Sequence, residues 1–153
     1  MGRVYEADGA RDFVMQWDDP HKRVESLEEE IAVVDSGIET LVAAGVLPHA
    51  GYDHVRILAH RAAVAEHFDI PWTAITHRMQ RLIYAINAIA QPQVMVAVGV
   101  FCGNTFISNA GAATGPGACY TARRLVGLEI RTEEADRARR NVATIDPDGN
   151  AEI

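Results

Sequence analysis

The sequence predicts an α/β fold in which a helical N-terminal region precedes a parallel sheet. Three observations predict it. The run Val94-Met95-Val96-Ala97-Val98 is apolar at every position and gives way to Gly99 and Gly103. A second apolar run, Leu125-Val126-Gly127-Leu128, ends in the carboxylate of Glu129. Helical periodicity fills the stretches before, between and after these runs. The order β-α-β-α-β then calls for a right-handed parallel sheet with helices on both faces.

The 153 residues suit one ordinary domain, and a hydrophobic content of 48% supplies a core. A net charge of −7 argues against nucleic-acid binding by bulk attraction, since phosphate contacts need a positive footprint. No apolar stretch approaches the roughly 20 residues that span a bilayer. The acidic N-terminus, with Glu6, Asp8, Asp12 and Asp18, lacks a signal-peptide pattern. Two cysteines, Cys102 and Cys119, are too few for a disulfide framework and fit a reducing cytoplasm.

Residues 1 to about 20 carry little periodic signal, and Asp18-Asp19-Pro20 reads as a turn. Val24, Leu27, Ile31, Val34, Ile38 and Leu41 then step by three and four, one narrow stripe along a single helix. That stripe packs within the fold or pairs with a second copy of the chain. Gly45 and Pro48 stop the helix. A second helix is expected from about Tyr52 to Phe68. Ile70-Pro71-Trp72 follows as a stiff extended link, because Pro71 disfavours helix at Ile70. A third begins after the N-cap Thr76, with Met79, Leu82, Ile83, Ile86 and Ile89 at helical spacing.

Val94–Val98 lacks alternation, as a strand covered on both faces should. A helix is expected from about Asn104 to Ala113, then a long loop around Gly115-Pro116-Gly117 and a strand over Leu125–Ile130. Thr132 can cap a helix reaching about Thr144, with Glu133, Glu134 and Asp136 near its positive end. After the turn at Asp146-Pro147-Asp148-Gly149, Ala151-Glu152-Ile153 opens a third strand. The organisation is thus a helical cap or oligomerisation region over 1–74 and a sheet region over 75–153.

A ligand in such a sheet sits beyond the carboxyl ends of its strands. Gly99 lets the chain turn there, and Gly103 lets backbone and ligand approach without an intervening β-carbon. The helix near Asn104 points free N–H groups at the pocket, and Glu129 can accept both hydroxyls of a ribose. A dinucleotide wants Gly-x-Gly-x-x-Gly. This loop lacks the middle glycine and sets Phe101 where a pyrophosphate needs bare backbone. A nucleoside with an amino-acid tail suits it better.

Other candidates carry blander readings. Cys102 stands where a helix terminus lowers a thiol pKa, but no base is identifiable beside it. His60 and His67 share a helix face two turns apart, too far to hold one ion, and read as a solvated face; His49 and His54 do not share a face. Glu28-Glu29-Glu30 reads as a wet face too, and Trp72 and Tyr84 as packing aromatics. No metal site is expected.

Residues 75–153 resemble the class I S-adenosylmethionine-dependent methyltransferases, particularly the branch that methylates small-molecule oxygens. The likeness rests on Ile75-Thr76-His77, Ala97-Val98-Gly99-Val100-Phe101-Cys102-Gly103-Asn104-Thr105, Val126-Gly127-Leu128-Glu129 and Ala138-Arg139-Arg140-Asn141. It implies the first three strands of a Rossmann-like sheet, truncated after the second βα unit, with S-adenosylmethionine as cofactor and a small molecule as methyl acceptor. Gly99 and Gly103 would flank the methionine part, with Phe101, Cys102, Asn104 and Thr105 lining it. Glu129 would hold the ribose, Ile130 would lie against the adenine, and Thr76 would join the site. Ala97 replaces the acid that ends the family's first strand, and His77 replaces a proline. No catalytic residue is assigned. The alternatives are a non-catalytic cofactor- or partner-binding protein of the same fold and an NAD(P)-dependent oxidoreductase. Packing of the α-helical stripe within the fold is the favoured reading, and a homodimer through the N-terminal helices is its alternative.

Overall fold

The computed structural model describes residues 5–7, 10–13, 26–70 and 75–153. In chain order it holds strands β1 (Tyr5–Ala7) and β2 (Ala10–Phe13), then helices α1 (Leu27–Ala43), α2 (His54–His67) and α3 (His77–Ala90). Strand β3 (Val94–Val98), helix α4 (Asn104–Ala110), strand β4 (Arg124–Leu128), helix α5 (Thr132–Ile145) and strand β5 (Ala151–Glu152) follow. A mixed α/β fold with helices ahead of an all-parallel sheet is what the sequence predicts. The β1–β2 antiparallel pair, in a stretch without periodic signal, is an addition. The turn at Asp18–Pro20, Val24, Pro71 and Trp72 lie outside the described residues.

The sheet has the order β3-β4-β5, in register from Val94 opposite Arg124 to Val98 opposite Leu128, and from Leu125 opposite Ala151. Among the described residues only one face is covered. Met95 and Leu125 are buried with Phe106, Ile107 and Ala110 of α4 and Ala138, Val142 and Ile145 of α5. On the other face Val96 is 58% and Val98 81% exposed. The expectation of helices on both faces is therefore corrected. Strand order advances without reversing, and successive right-handed crossovers in one direction leave both helices on the same side. An unbroken apolar run signals burial in sequence, yet here one of its two faces meets solvent.

α1 begins at a reciprocal cap the sequence reading missed. Ser26 Oγ accepts from Glu29 N–H, and the Glu29 carboxylate accepts from Ser26 N–H. Val34 and Ile38 pack against Ala85 and Ile89 of α3, with Leu41, Leu82 and Ile86 around them. The narrow stripe is thus used inside the chain. Glu30 lies one turn before Val34, on the same row, so helix phase buries it rather than leaving it wet. Arg61 holds it at 2.8 and 3.0 Å, and Arg81, fully buried, holds the same carboxylate. Burial alone would raise the Glu30 pKa; the hydrogen bonds of Arg61 and Arg81 outweigh it and hold the carboxyl below its usual range.

Four further expectations shift. Met79 is exposed, and α3 buries Arg81 and Ala85 along with the expected Ile89 and Tyr84, whose hydroxyl donates to Gly117 O at 2.6 Å. His60 is buried, not solvated. A β-carbon on Gly111 would lie 2.8 Å from its ring and one on Gly117 3.0 Å from the His60 β-carbon, so two glycines make room for this histidine. α4 accordingly stops at Ala110, short of Ala113. Ile70 is left-handed at φ 62°, not extended, so the chain bends sharply just before Pro71.

Candidate functional site

The carboxyl end of the sheet brings most of the sequence-predicted residues together. Gly99, at φ 77°, extends the ladder through its N–H to Leu128 O at 2.8 Å. The loop then tightens through Gly103 N–H to Val100 O at 2.8 Å. Phe101 takes a left-handed conformation, φ 50°, and its N–H donates to Glu129 Oε2 at 2.9 Å. The bend after β3 and the acid after β4 thus stand one hydrogen bond apart.

Glu129 Oε1 also accepts from Arg131 N–H at 3.1 Å. The N–H groups of Arg131 and Phe101 hold its carboxyl below the usual range, so it is ionised at neutral pH. This bond explains a shifted cap. Arg131, not Thr132, is the N-cap of α5, and it makes no side-chain cap bond. The Arg131 guanidinium lies 5.8 Å from the centre of the Phe101 ring. Ile130, next to Glu129, is 97% exposed.

Gly103 has a different reason from the one its motif suggests. A β-carbon there would meet Val142 Cγ2 at 3.2 Å and Ala138 Cβ at 3.4 Å, and φ is 90°. The close approach is to α5, not to an open ligand space. Cys102 is buried, and burial pushes its thiol pKa up. A thiol raised in this way is a poor nucleophile, in keeping with the absence of a base beside it in the sequence reading. Asn104 is buried and accepts from Ser108 Oγ at 3.3 Å, while Thr105 is exposed. Thr76 caps α3, accepting from Met79 N–H at 3.2 Å, so its hydroxyl serves that helix.

Asn141 is the residue whose role sequence reasoning did not find, although it ends the Arg-x-Asn likeness. Its amide donates to Cys102 O at 2.9 Å and Asp69 O at 2.8 Å, and accepts from Asp69 N–H at 2.9 Å. It clasps the glycine loop to the corner after α2. Cys102 Sγ adds a contact to Ile70 O at 3.7 Å. Asp69 is 72 positions away in sequence, and no local pattern couples such a pair.

A cavity of about 520 Å³ lies at the opposite, amino end of the sheet, where His67, Thr114, Tyr120, Asp148 and Asn150 contribute to its lining. Asp146, also there, is buried and takes three donors: Thr114 Oγ1, Asn150 Nδ2 and Ala151 N–H. The cavity therefore lies away from the Gly99 loop and Glu129. Among the described residues no group of three or more His, Cys, Asp and Glu side chains is placed to hold a metal ion, and no helix is long and apolar enough to cross a membrane. Compared with protein-family models, curated proteins and solved structures, the chain matches none of them.

Proposed function

We propose that this chain binds S-adenosylmethionine across the Gly99–Gly103 loop, as the cofactor-binding part of a methyltransferase acting on a small-molecule acceptor. The observation that carries the reading is the 2.9 Å bond between Phe101 N–H and Glu129 Oε2. It sets an ionised acid at the end of one parallel strand against the glycine loop that ends its neighbour. A ribose with an amino-acid tail spans that pair of groups.

The residues fit such a ligand in three respects. Each Glu129 oxygen accepts one backbone N–H and keeps lone-pair capacity for a ribose hydroxyl. Ile130 offers an uncovered apolar side chain for a purine face. Gly99 at φ 77° leaves open space where a β-carbon would stand. When bound, the sulfonium compound supplies a methyl group open to in-line displacement by an acceptor oxygen, nitrogen or carbon. The chain's own contribution is alignment: Glu129 fixes the ribose end, and the loop from Phe101 to Thr105 fixes the tail.

A second reading, a non-catalytic binding protein of the same fold, is favoured by Ala97. Its methyl packs against the apolar core beside Met95, leaving no acid there for the tail's ammonium. An NAD(P)-dependent oxidoreductase is disfavoured by Phe101, which sets a side chain where a pyrophosphate wants bare backbone.

Titration calorimetry with S-adenosylmethionine, its demethylated product and NAD separates these readings. The first two bind and NAD does not. Glu129→Ala weakens both by roughly 1–3 kcal/mol, through loss of charge-assisted hydrogen bonds. Submillimolar NAD affinity with no response to the sulfonium compound overturns the proposal, and unchanged affinity in the variant removes Glu129 from the site.

A further inference from the structure

We infer that the cavity at the amino end of the sheet is a second binding site, one that takes a small organic ammonium: a cationic nitrogen on a partly apolar body. At about 520 Å³ it has the volume of a small-molecule pocket. α5 connects the parallel strands β4 and β5, so it runs against both and stops where they start. Its last two residues, Thr144 and Ile145, line the cavity, and so does His67, the last residue of α2. The carboxyl terminus of a helix carries partial negative charge, so two such ends meet at this wall. Asp146 and Asp148 add two carboxylates, and neither Lys nor Arg lines the space. His67 is the one base there, and the Glu66 carboxylate stands 3.8 Å from it. A cleft whose walls carry one sign of charge concentrates the opposite ion.

The wall is fixed before a ligand arrives. Asp146 ties Thr114, Asn150 and Ala151 to one another. Gly115, at φ 71°, lies so close to the end of α5 that a β-carbon on it would stand 2.7 Å from Ile145 Cγ2. A pocket held in this way loses little freedom on binding. Asp146 already accepts three donors, so the counter-ion for a ligand is Asp148, which is exposed and has no hydrogen-bond or ion-pair partner among the described residues. Ala63, Ala113 and Pro116 offer apolar surface to the body of the ligand. The Tyr120 ring does the same, its hydroxyl being engaged with Pro92 O at 3.1 Å. An anion meets two carboxylates here and no guanidinium or ammonium to offset them. A metal ion lacks the three clustered ligands it needs among the described residues. The cavity lies away from Glu129, so this inference stands or falls independently of the nucleoside reading.

Backbone amide NMR of the full chain, titrated separately with benzylamine, benzyl alcohol and benzoate, tests this. Benzylamine is expected to saturate with a Kd of about 1 mM, moving the amides of Thr114, Thr121 and Asn150 and leaving those of Gly99 and Glu129 in place. The neutral alcohol binds about threefold or more weakly, and benzoate does not saturate. Asp148→Asn removes the difference between amine and alcohol, because it deletes the charge and keeps the shape. Should that variant unfold, Thr121→Phe, at an exposed position on the lining, is expected to lower the affinity for amine and alcohol alike. No saturation by benzylamine below about 20 mM overturns the inference. So does benzoate binding as tightly as the amine, amide shifts confined to the Glu129 end, or an affinity for benzylamine that is indifferent to the substitution in a folded variant.

Discussion

The two ends of the sheet each carry an acid that binds backbone N–H, and they use it differently. At the amino end Asp146 is buried under three donors drawn from the turn after α4, the turn after α5 and the start of β5. It is a knot that brings β5 into register. At the carboxyl end Glu129 has two backbone donors, from the glycine loop and from its own strand end, beside the nearly bare Ile130. The cavity of about 520 Å³ lies at the first end, and the acid proposed to meet a ribose lies at the second. If Glu129 binds ligand as proposed, the capacity an acid has left marks a binding carboxylate better than the volume beside it.

The comparison breaks most visibly at Asp146. Asp146→Ala strands the Thr114 hydroxyl, the Asn150 amide and the Ala151 N–H together, a loss of about 3 kcal/mol. Urea denaturation reads it. A loss below about 1 kcal/mol would mean that this end is held by packing alone.

Acid titration sharpens the same contrast through His60, which α2 presses against Gly111 and Gly117. Among the described residues neither ring nitrogen has a hydrogen-bond partner, and burial, aided by Arg61, pushes its pKa down to about 4. The fold thus favours the neutral ring. Its contribution is complete above the unfolded value of about 6.5 and declines as pH falls from there toward 4, by on the order of 3 kcal/mol. Stability measured across that window should drop in the wild type and stay flatter in His60→Leu; parallel profiles would clear His60 of the effect.

The smallest change is expected at Asn141. Asn141→Ala costs about 1–2 kcal/mol and frees the glycine loop from the Asp69 corner. The chain's two free thiols report it: Cys102 is buried and Cys119 exposed. Alkylation of Cys102 should accelerate in the variant relative to Cys119. An unchanged ratio would show that Asn141 does not restrain the loop.

The sequence made the sheet legible because its signals are local. Val94–Val98 matches residue for residue, and the Thr76 cap and the turn before β5 fall where side-chain chemistry puts them. The juxtaposition of Glu129 with the Gly99 loop follows from strand order alone. What failed depends on distant partners. Glu30 looks like part of a wet acidic run until Arg61 and Arg81, on two other helices, are seen around it. His60 looks solvated until Gly111 and Gly117 close over it. The open face of β3 was hidden because a uniform apolar run carries no mark of which side lacks a cover. Ile70 was misjudged because the preference imposed by Pro71 yielded to the contacts of Asp69 and Ile70 with Asn141 and Cys102.

Gly103 fits against Val142 and Ala138 as a tooth fits a gear, and the fit does not depend on what occupies the crevice. Any side chain there would crowd Val142 and Ala138 and strain the backbone at φ 90°, whether or not a cofactor ever visits. A scan keyed to that glycine retrieves scaffolds, active and inert alike. Glu129, which touches the loop and the start of α5 through hydrogen bonds rather than packing, is the residue to follow if the proposed nucleoside site is to be tested.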